Sequence, residues 1–170
     1  EWEKPENKSK LAQKDIDADW TKKNGERHFG YKDHVKCDAD SKLITNYSVT
    51  SASVHDSQRC LVFIGQEDEV LYADSAYSGK PIALALPENC KNQICEKGYR
   101  NSPLTSEQKM NNRRKSRIRC RIEHIFGFMT GAMHGITIRS IGITRAWMNI
   151  GITNLVYNFC RYSYLKRASA

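Results

Sequence analysis

Val70-Leu71-Tyr72-Ala73-Asp74 is the stretch that decides the fold class, because a continuous apolar run ends there at a carboxylate. Such a run predicts a strand buried on both faces of a sheet. The residues that follow, Ser75-Ala76-Tyr77-Ser78-Gly79, predict a turn into a helix over Pro81 to Leu86. Open α/β sheets place functional groups at the carboxyl ends of their strands. Asp74 is therefore a candidate site residue, and its structural alternative is a turn former or helix cap.

Two further strands are predicted upstream of this run. Residues 28–37 alternate partly between apolar and polar side chains, residues 38–41 supply a turn, and residues 43–50 are rich in β-branched and aromatic side chains. We therefore expect a hairpin over Phe29 to Thr50 that shares one sheet with the 70–73 strand. A short helix over residues 53–64 and a short strand over residues 92–96 complete this half. The polar residues 1–27 are expected to form a loop or linker.

Helices dominate the rest of the chain. Thr105-Ser106-Glu107-Gln108 matches a capping box, which predicts a helix running to about Phe128. Its second half carries one apolar stripe, and a last amphipathic helix is expected over Ile143 to Arg161. The stripe is Ile118, Ile122, Ile125 and Met129, and the last helix would pack through Trp147, Ile150, Leu155 and Phe159. The expected class is α/β (α+β), a mixed sheet flanked by helices over residues 28–165, with a tail at 166–170.

Charge is segregated along the chain. The whole sequence has a net charge of +8, and residues 108–170 hold twelve Lys or Arg but a single acid, Glu123. This distribution and the pI of about 9.2 indicate a nucleic-acid partner. The bases before Glu123 are Lys109, Arg113, Arg114, Lys115, Arg117, Arg119 and Arg121. The alternative is a solvated helix face with Glu123 as an ion-pair partner of Arg119, four residues away.

The composition argues against a membrane or secreted protein. No 18-residue apolar run and no signal peptide are visible, so a cytoplasmic protein is expected. The six cysteines form no C-x-x-C pair and are expected to be reduced. Cys90, Cys95 and His124 are residue types that bind zinc, but their spacing fits no common zinc module.

Two acids together suggest metal chemistry. An acid that ends a buried strand and an acid on a basic helix suit hard divalent cations, which prefer carboxylate oxygens and leave positions open for water and phosphate. Asp74 and Glu123 are therefore candidate metal ligands, and the neighbouring bases would gather phosphates. His55-Asp56 is a third candidate, for which a helix-start acid and a turn residue are the favoured interpretation.

Six ordered blocks of sequence resemble a known family over about residues 15–165. The chain is similar to bacterial insertion-sequence transposases with a DDE catalytic domain of RNase H-like fold. The blocks are Phe29-Gly30-Tyr31-Lys32-Asp33-His34, Ser53-Val54-His55-Asp56-Ser57, Leu71-Tyr72-Ala73-Asp74-Ser75-Ala76-Tyr77, Glu96-Lys97-Gly98-Tyr99-Arg100-Asn101, Arg119-x-x-x-Glu123-His124-x-Phe126-Gly127 and Asn154-Leu155-Val156-Tyr157-Asn158.

The resemblance implies that Asp74 is the second acid of a catalytic triad, Glu123 the third, and Arg119 the arginine that precedes it. Related transposases often carry Tyr and Lys where this chain has Ser116 and Thr130. The first acid is implied to lie on a first strand that precedes this chain. That strand would be central in the sheet, so we expect the chain alone to be inactive and poorly stable.

Three aspartates near the start of the chain invite assignment as the missing acid. Asp15, Asp17 and Asp19 lie in the polar linker near Trp20 and on no predicted buried strand. None of them is assigned to the triad.

The resemblance also implies the activity, cofactors and partners. The intact enzyme would use two Mg²⁺ or Mn²⁺ ions, roughly 3.5–4 Å apart, for phosphodiester cleavage and strand transfer during DNA transposition. Asp74 and Glu123 would hold metal, and the six bases other than Arg119 would bind DNA phosphates of the transposon ends and target. A homo-oligomer on DNA is expected. A non-catalytic basic nucleic-acid-binding module and a stand-alone RNase H-like nuclease are the alternatives.

Overall fold

The structure, a computed structural model, describes residue 4 and residues 8–23 and 25–169. The expected linker at 1–3, 5–7 and 24, and residue 170 of the expected tail, lie outside these described residues. The elements in chain order are α1 (Lys8–Ala12), β1 (Asp19–Lys23), β2 (Glu26–Cys37), β3 (Ile44–Ser51), α2 (Ser57–Phe63), β4 (Val70–Leu71), a 3-10 helix (Ser75–Tyr77), α3 (Lys80–Ala85), β5 (Lys91–Asn92), α4 (Ser106–Arg119), α5 (Arg121–Gly131) and α6 (Ile143–Ala168). The α+β class is confirmed.

The predicted hairpin is present as β2 and β3. The strands pair antiparallel from Tyr31 opposite Ser51 to Lys36 opposite Asn46, and the register shifts at Lys36/Cys37. The expectation that residues 1–27 form only a loop or linker is wrong, because β1 pairs with the start of β2. Both faces of β1 are largely exposed, so this strand carries no alternating pattern. Its Trp20 packs on Phe29 across the ladder, with ring centroids 5.2 Å apart.

One face of the hairpin holds the main core. Val35 and Cys37 of β2 pack against one buried cluster from β3, α5 and α6, formed by Ile44, Ile125, Met129 and Tyr157. Val49, Ala146 and Ile150 form a second cluster beside it. Gly151 lets α6 approach β3 closely, because a Cβ atom there would collide with the Tyr47 ring.

The opposite face of the hairpin is polar and is tied to the α2 segment by charged side chains. Lys32 donates to the Val54 carbonyl at 2.7 Å and pairs with Asp56 at 3.3 Å. Lys36 donates to the Phe63 carbonyl at 2.9 Å and to Asp68 Oδ2 at 2.7 Å. Two cations therefore hold α2 against the sheet.

The Asp74 strand lies in a second sheet, so the expectation of a single shared sheet is wrong. β4 pairs in parallel with β5 alone among the described strands. The ladder continues beyond the assigned strands, because Gln93 N–H donates to the Leu71 carbonyl at 2.9 Å and Cys95 N–H to the Ala73 carbonyl at 3.0 Å. Burial on both faces is also wrong. Val70 is 36% exposed, since the small cluster around Cys60, Ile82 and Ile94 covers only part of the strand.

The single long helix expected from Thr105 to Phe128 is two helices, broken at Cys120. The capping box at Thr105 and Gln108 is confirmed. At the break, the Cys120 thiol lies 3.3 Å from the Arg117 carbonyl and donates to it, which inserts a side-chain donor into the backbone ladder. Ile125 and Met129 of the expected stripe are fully buried in α5.

The last helix is present and longer than expected, since it continues to Ala168 through most of the expected tail. Its buried face is Ala146, Ile150, Asn154 and Tyr157. Of the expected packing residues, Ile150 belongs to this face, and Trp147 packs its ring on Tyr47 with centroids 5.1 Å apart. Leu155 and Phe159 are more than half exposed. A polar residue, Asn154, sits in the buried stripe, so hydrophobicity alone selects the wrong face. None of the helices in the described ranges is long and apolar enough to cross a membrane.

Candidate active site and basic helix

Asp74 lies directly after the last ladder contact of the β4 segment and is exposed. Its Oδ1 accepts from the Ser75 amide at 2.5 Å and from the Ser75 hydroxyl at 3.2 Å, so the carboxylate caps the 3-10 helix. One carboxylate oxygen is thereby fixed in orientation. The structure thus shows the cap that was the structural alternative, on a side chain that solvent still reaches.

The surroundings of Asp74 include a second acid. Burial raises the pKa of Tyr77 to about 12, and the negative charges of Asp56 and Asp74 add to this effect. The phenol therefore stays protonated and faces an acidic environment. Asp56 is itself paired with Lys32, and His55 Nδ1 is 2.8 Å from the Ser57 hydroxyl. The structure places His55 and Asp56 in these structural contacts.

His34 and Thr50 form a buried pair beside Asp56, with His34 Nε2 2.8 Å from Thr50 Oγ1. The Thr50 hydroxyl also donates to the Ser51 carbonyl at 3.1 Å, and His34 Nδ1 lies 3.6 Å from Asp56 Oδ1. Burial lowers the pKa of His34, which outweighs the opposing charge of Asp56. These contacts join β2 to β3 and to Asp56, the residue before α2.

Glu123 lies in the first turn of α5 and forms an ion pair with Arg119. The distance from Arg119 Nη2 to Glu123 Oε1 is 2.7 Å, and the glutamate side chain is 57% exposed. The expected arginine–glutamate neighbourhood is thus present across the Cys120 break. The pair holds one carboxylate oxygen and leaves the side chain accessible to solvent.

A chain of contacts links the Asp74 segment to the Arg119–Glu123 end of the helices. Cys95, whose amide bonds to the residue before Asp74, has its Sγ 3.7 Å from the hydroxyl of Ser116. Ser116 is one helical turn before Arg119. The small side chain at this position therefore lies where α4 meets the strand next to Asp74.

Helix α4 also covers the free edge of the β5 segment through polar side chains. Asn112 accepts from the Glu96 amide at 2.8 Å and donates to the Glu96 carbonyl at 2.9 Å. Lys115 donates to the Ile94 carbonyl at 2.9 Å. These contacts satisfy backbone groups that an edge strand would otherwise expose. They also orient the basic helix relative to Asp74.

The predicted DNA-binding bases separate into two groups. Lys109, Arg113, Arg114 and Arg117 are exposed on α4. Lys115 is engaged with Ile94, and Arg121 donates to the Ala39 carbonyl and lies 3.2 Å from Asp40 Oδ1. Residues 109, 113 and 117 recur at four-residue steps, so three of the four exposed bases share one face of the helix.

The described residues do not contain a complete metal centre. No group of three His, Cys, Asp or Glu that could hold a metal ion occurs among the residues the structure describes. Asp74 and Glu123 are each exposed carboxylates with one oxygen already bonded. His124, imagined as a zinc ligand, has its Nδ1 3.0 Å from Lys42 Nζ instead. Both carboxylates offer oxygen donors of the kind that hard divalent cations prefer.

Two aspartates that the sequence left unassigned hold the start of α6. Asp15 Oδ2 accepts from the Gly142 amide at 3.2 Å, and Asp17 Oδ2 accepts from the Ile143 amide at 3.0 Å. Burial opposes ionisation of Asp15, but hydrogen bonds from Tyr31 and from backbone amides including Gly142 outweigh it and lower its pKa. Sequence reasoning missed this role, because the cap lies more than 120 residues from the helix it serves.

A partly buried acid on β2, Asp33, was also missed. Asn154 of α6 donates to Asp33 Oδ1 at 3.3 Å, while Asp33 Oδ2 and Asn154 Oδ1 have no partner among the described residues. Burial raises the pKa of Asp33 to about 6 against the opposing hydrogen bond from Asn154. The alternation of β2 could have revealed this acid, because Asp33 lies between Tyr31 and Val35 on the core face.

Comparison with known proteins identifies the family. The model of the family described as "Transposase DDE domain" matches residues 2–159. The transposase for insertion sequence element IS1106 of Neisseria meningitidis serogroup B is 33% identical over 117 residues, which are 67% of this chain and 40% of that protein. The chain thus spans less than half the length of this curated relative. No solved structure matches the chain. The match across nearly all of its residues shows that the chain belongs to the transposase DDE domain family.

Proposed function

We propose that this chain is the C-terminal part of a DDE transposase and supplies two of the three catalytic acids, Asp74 and Glu123. The observation that carries the proposal is the connection between them. The strand beside Asp74 contacts α4 through Cys95 and Ser116, and α4 leads into the Arg119–Glu123 pair. An acid at a strand end and an acid at a helix start are thereby held by one packed unit.

Divalent metal ions would supply the activation of water and of a DNA 3′-hydroxyl for phosphodiester cleavage and strand transfer. Asp74 and Glu123 would hold these ions with an acid from outside the described residues. Arg119 would position Glu123 through their 2.7 Å contact. The Ser75 amide would fix Asp74 in orientation, since it holds Oδ1 and leaves Oδ2 for a ligand.

The exposed bases of α4 would hold DNA phosphates next to these acids. Lys109, Arg113 and Arg117 carry three positive charges on one helix face, and exposed Arg114 adds a fourth charge beside it. Phosphate contacts of this kind give affinity and register with little sequence preference. The same charges on a non-catalytic binding module would need no exposed acid beside them, and Glu123 is such an acid.

The catalytic proposal is tested in the longer enzyme that contains this chain. Asp74→Asn and Glu123→Gln should each reduce metal-dependent cleavage of transposon-end DNA at least about 100-fold, because each removes a metal ligand. DNA affinity should be unchanged. Glu88→Gln, which neutralises an exposed acid elsewhere, is the matched control. Wild-type cleavage by either variant would remove that residue from the site, and hydrolysis without strand joining would favour the nuclease alternative.

The DNA proposal is tested by the salt dependence of binding. Replacing Arg113, Arg114 and Arg117 with Ala should flatten the log–log salt slope by up to about 2.7, at roughly 0.9 for each phosphate contact. Lys115 is left in place, because it holds the β5 segment. The control removes three exposed bases of β1 and β2: Lys22, Lys23 and Arg27. An equal change in both triple variants would show that net charge, and not the α4 face, governs binding.

A further inference from the structure

Arg121 ties the start of α5 to the turn between β2 and β3, residues 38–43, which we call the 38–43 turn. Its Nη1 donates to the Ala39 carbonyl and lies 3.2 Å from Asp40 Oδ1. The Asp40 side chain is 98% exposed, so the ion pair adds little and the carbonyl is the main partner. The arginine that the sequence assigned to DNA is thus engaged within the fold.

A second contact joins the same helix turn to the 38–43 turn. Lys42 Nζ lies 3.0 Å from His124 Nδ1, and the imidazole accepts, because an ammonium group can only donate. His124 follows Arg121 by three residues, so both contacts lie on one side of α5. Glu123 projects from another side, where its carboxylate forms the ion pair described above.

The 38–43 turn is itself held firmly. Asp38 Oδ1 accepts from the amide and from the hydroxyl of Ser41, each at 2.6 Å. Arg161 of α6 donates from Nε to the Ser41 carbonyl at 2.6 Å. Lys42 adopts a left-handed backbone conformation with φ 60°. The turn therefore gives α5 a fixed point on the sheet.

The helix break at Cys120 gives these contacts their importance. An unbroken helix would set the direction of Glu123 through the backbone of α4, whereas α5 begins anew at Arg121. Side chains end about 5–6 Å from a helix axis, so a rotation of α5 by about 20° would move the carboxylate about 2 Å. A misplacement of about 1 Å is enough to impair a catalytic group. Ile125 fixes the middle of α5 in the core, and the 38–43 turn fixes its start.

We propose that Arg121 is a positioning residue for Glu123. By anchoring α5 to the 38–43 turn, it sets where the Glu123 carboxylate meets a divalent cation. This role rests on the proposed function of Glu123 as a metal ligand. Loss of a residue that orients a metal ligand commonly costs about 10- to 100-fold in metal affinity or activity. Arg121 thus acts through Glu123 and not through a DNA phosphate.

The test titrates Mn²⁺ alone into the longer enzyme and follows the EPR signal of the free ion. Arg121→Met keeps the aliphatic stem but removes the donor, and it should raise the Mn²⁺ dissociation constant about 10-fold. Loss of a nearby positive charge would by itself tighten cation binding, so weaker binding reports a displaced carboxylate. Arg161→Met, the same change in the other arginine on the 38–43 turn, is the matched control and should leave the constant unchanged. Arg121→Lys, which keeps a donor, should restore the constant to within about threefold of the wild type.

DNA binding separates positioning from a phosphate contact. Arg121→Met should leave the log–log salt slope unchanged, whereas loss of a phosphate contact would flatten it by about 0.9. A flattened slope with wild-type Mn²⁺ affinity would return Arg121 to the DNA-binding surface and overturn the proposal. Equal weakening of Mn²⁺ binding by Arg161→Met would show a general loosening of the fold and would also overturn it.

A double-mutant cycle with Glu123→Gln tests whether Arg121 acts through that acid. Glu123→Gln should weaken Mn²⁺ binding, and Arg121→Met should add no further loss in that background. Wild-type Mn²⁺ affinity of Glu123→Gln would contradict the proposed function itself. Weakening by Glu123→Gln but not by Arg121→Met would leave the proposed function standing and overturn the positioning role, as would a full further loss in the double variant.

A second variant tests the same anchor without changing Arg121. Lys42→Asn removes the contact to His124, and asparagine tolerates the left-handed backbone at this position. It should raise the Mn²⁺ dissociation constant about threefold, since one of the two contacts remains. Circular dichroism checks that each variant is folded. If Arg121→Met does not fold, wild-type Mn²⁺ affinity in folded Lys42→Asn would overturn the anchoring role of the turn.

Discussion

The hairpin region and the Asp74 region of this chain differ in how completely their core residues are buried. The hairpin region, formed by β1–β3, α5 and α6, buries Ile125 and Ala146 completely. The Asp74 region, formed by α2, β4, α3, β5 and α4, has a core cluster of Cys60, Ile82 and Ile94 that remain 5–7% exposed. The first rests on long antiparallel ladders, and the second on a two-residue parallel ladder extended by a few hydrogen bonds.

The difference follows from strand topology. An antiparallel hairpin needs only itself and one covering layer, because its partner strand follows within a few residues. Parallel strands are normally covered on both faces and flanked by further strands. The candidate catalytic Asp74 therefore lies in the region with the weaker support. Functional segments are commonly drawn from the less stable parts of a fold, where a partner or ligand completes the structure.

The largest expected effect comes from cavities in the two cores. Ile125→Ala should lower the free energy of unfolding by about 4 kcal/mol, since its site is fully enclosed and cannot collapse. Ile94→Ala should cost about 2 kcal/mol, at the low end for such changes, because its site is open enough to relax. Urea denaturation followed by circular dichroism measures both. Equal losses of unfolding free energy would show that the two cores are packed alike and would contradict the difference described above.

The next largest effect concerns Asp33 in the hairpin region, whose ionisation in the folded state costs free energy. The pKa of Asp33 is raised to about 6, so the folded state binds its proton more tightly than the unfolded state does. Stability from this group is therefore present below pH 4 and is lost as the pH rises through 6. At 1.36 kcal/mol per pKa unit, the ionised acid costs about 3 kcal/mol at pH 7.

Asp33→Asn removes that cost and sharpens the contrast between the regions. An amide at position 33 has a donor for Asn154 Oδ1 and an acceptor for its Nδ2, which satisfies the two orphan oxygens together. The variant should gain up to about 3 kcal/mol over the wild type between pH 4 and pH 7. Denaturation at both pH values measures the gain. A stability difference that does not change with pH would show that Asp33 ionises normally in the folded chain.

Sequence patterns predicted the local structure of both regions well. The hairpin, the short helix after it, the Thr105 capping box and the last helix are all present. Each depends on signals within a few residues, such as turn residues between β-branched runs. The family was predicted from the resemblance of six ordered sequence blocks, and the match of the family model over residues 2–159 confirms it.

Contacts between elements far apart in the chain could not be predicted from the sequence. An apolar run at residues 70–73 predicts burial but does not say which strands flank it, and here β5 alone does among the described strands. The buried face of α6 includes Asn154 because Asp33 lies opposite, a pairing 121 residues apart. The assignment of Lys115 and Arg121 to DNA likewise could not foresee their carbonyl partners at Ile94 and Ala39.

The smallest expected effect tests whether the two regions unfold together. Thr105 accepts from the Gln108 amide at 3.2 Å and its own amide donates to Gln108 Oε1 at 2.9 Å, so Thr105→Ala removes half of the capping box of α4. Loss of an N-cap costs about 1 kcal/mol. If α4 opens independently of the hairpin region, hydrogen exchange should quicken about fivefold in residues 108–119 while the urea midpoint of the hairpin region stays fixed.

Thr105→Ser, which keeps the hydroxyl, is the matched control. A shift of the whole unfolding transition by about 1 kcal/mol would instead show that α4 and the hairpin region form one cooperative unit, and that the loose packing around Asp74 does not make it independent.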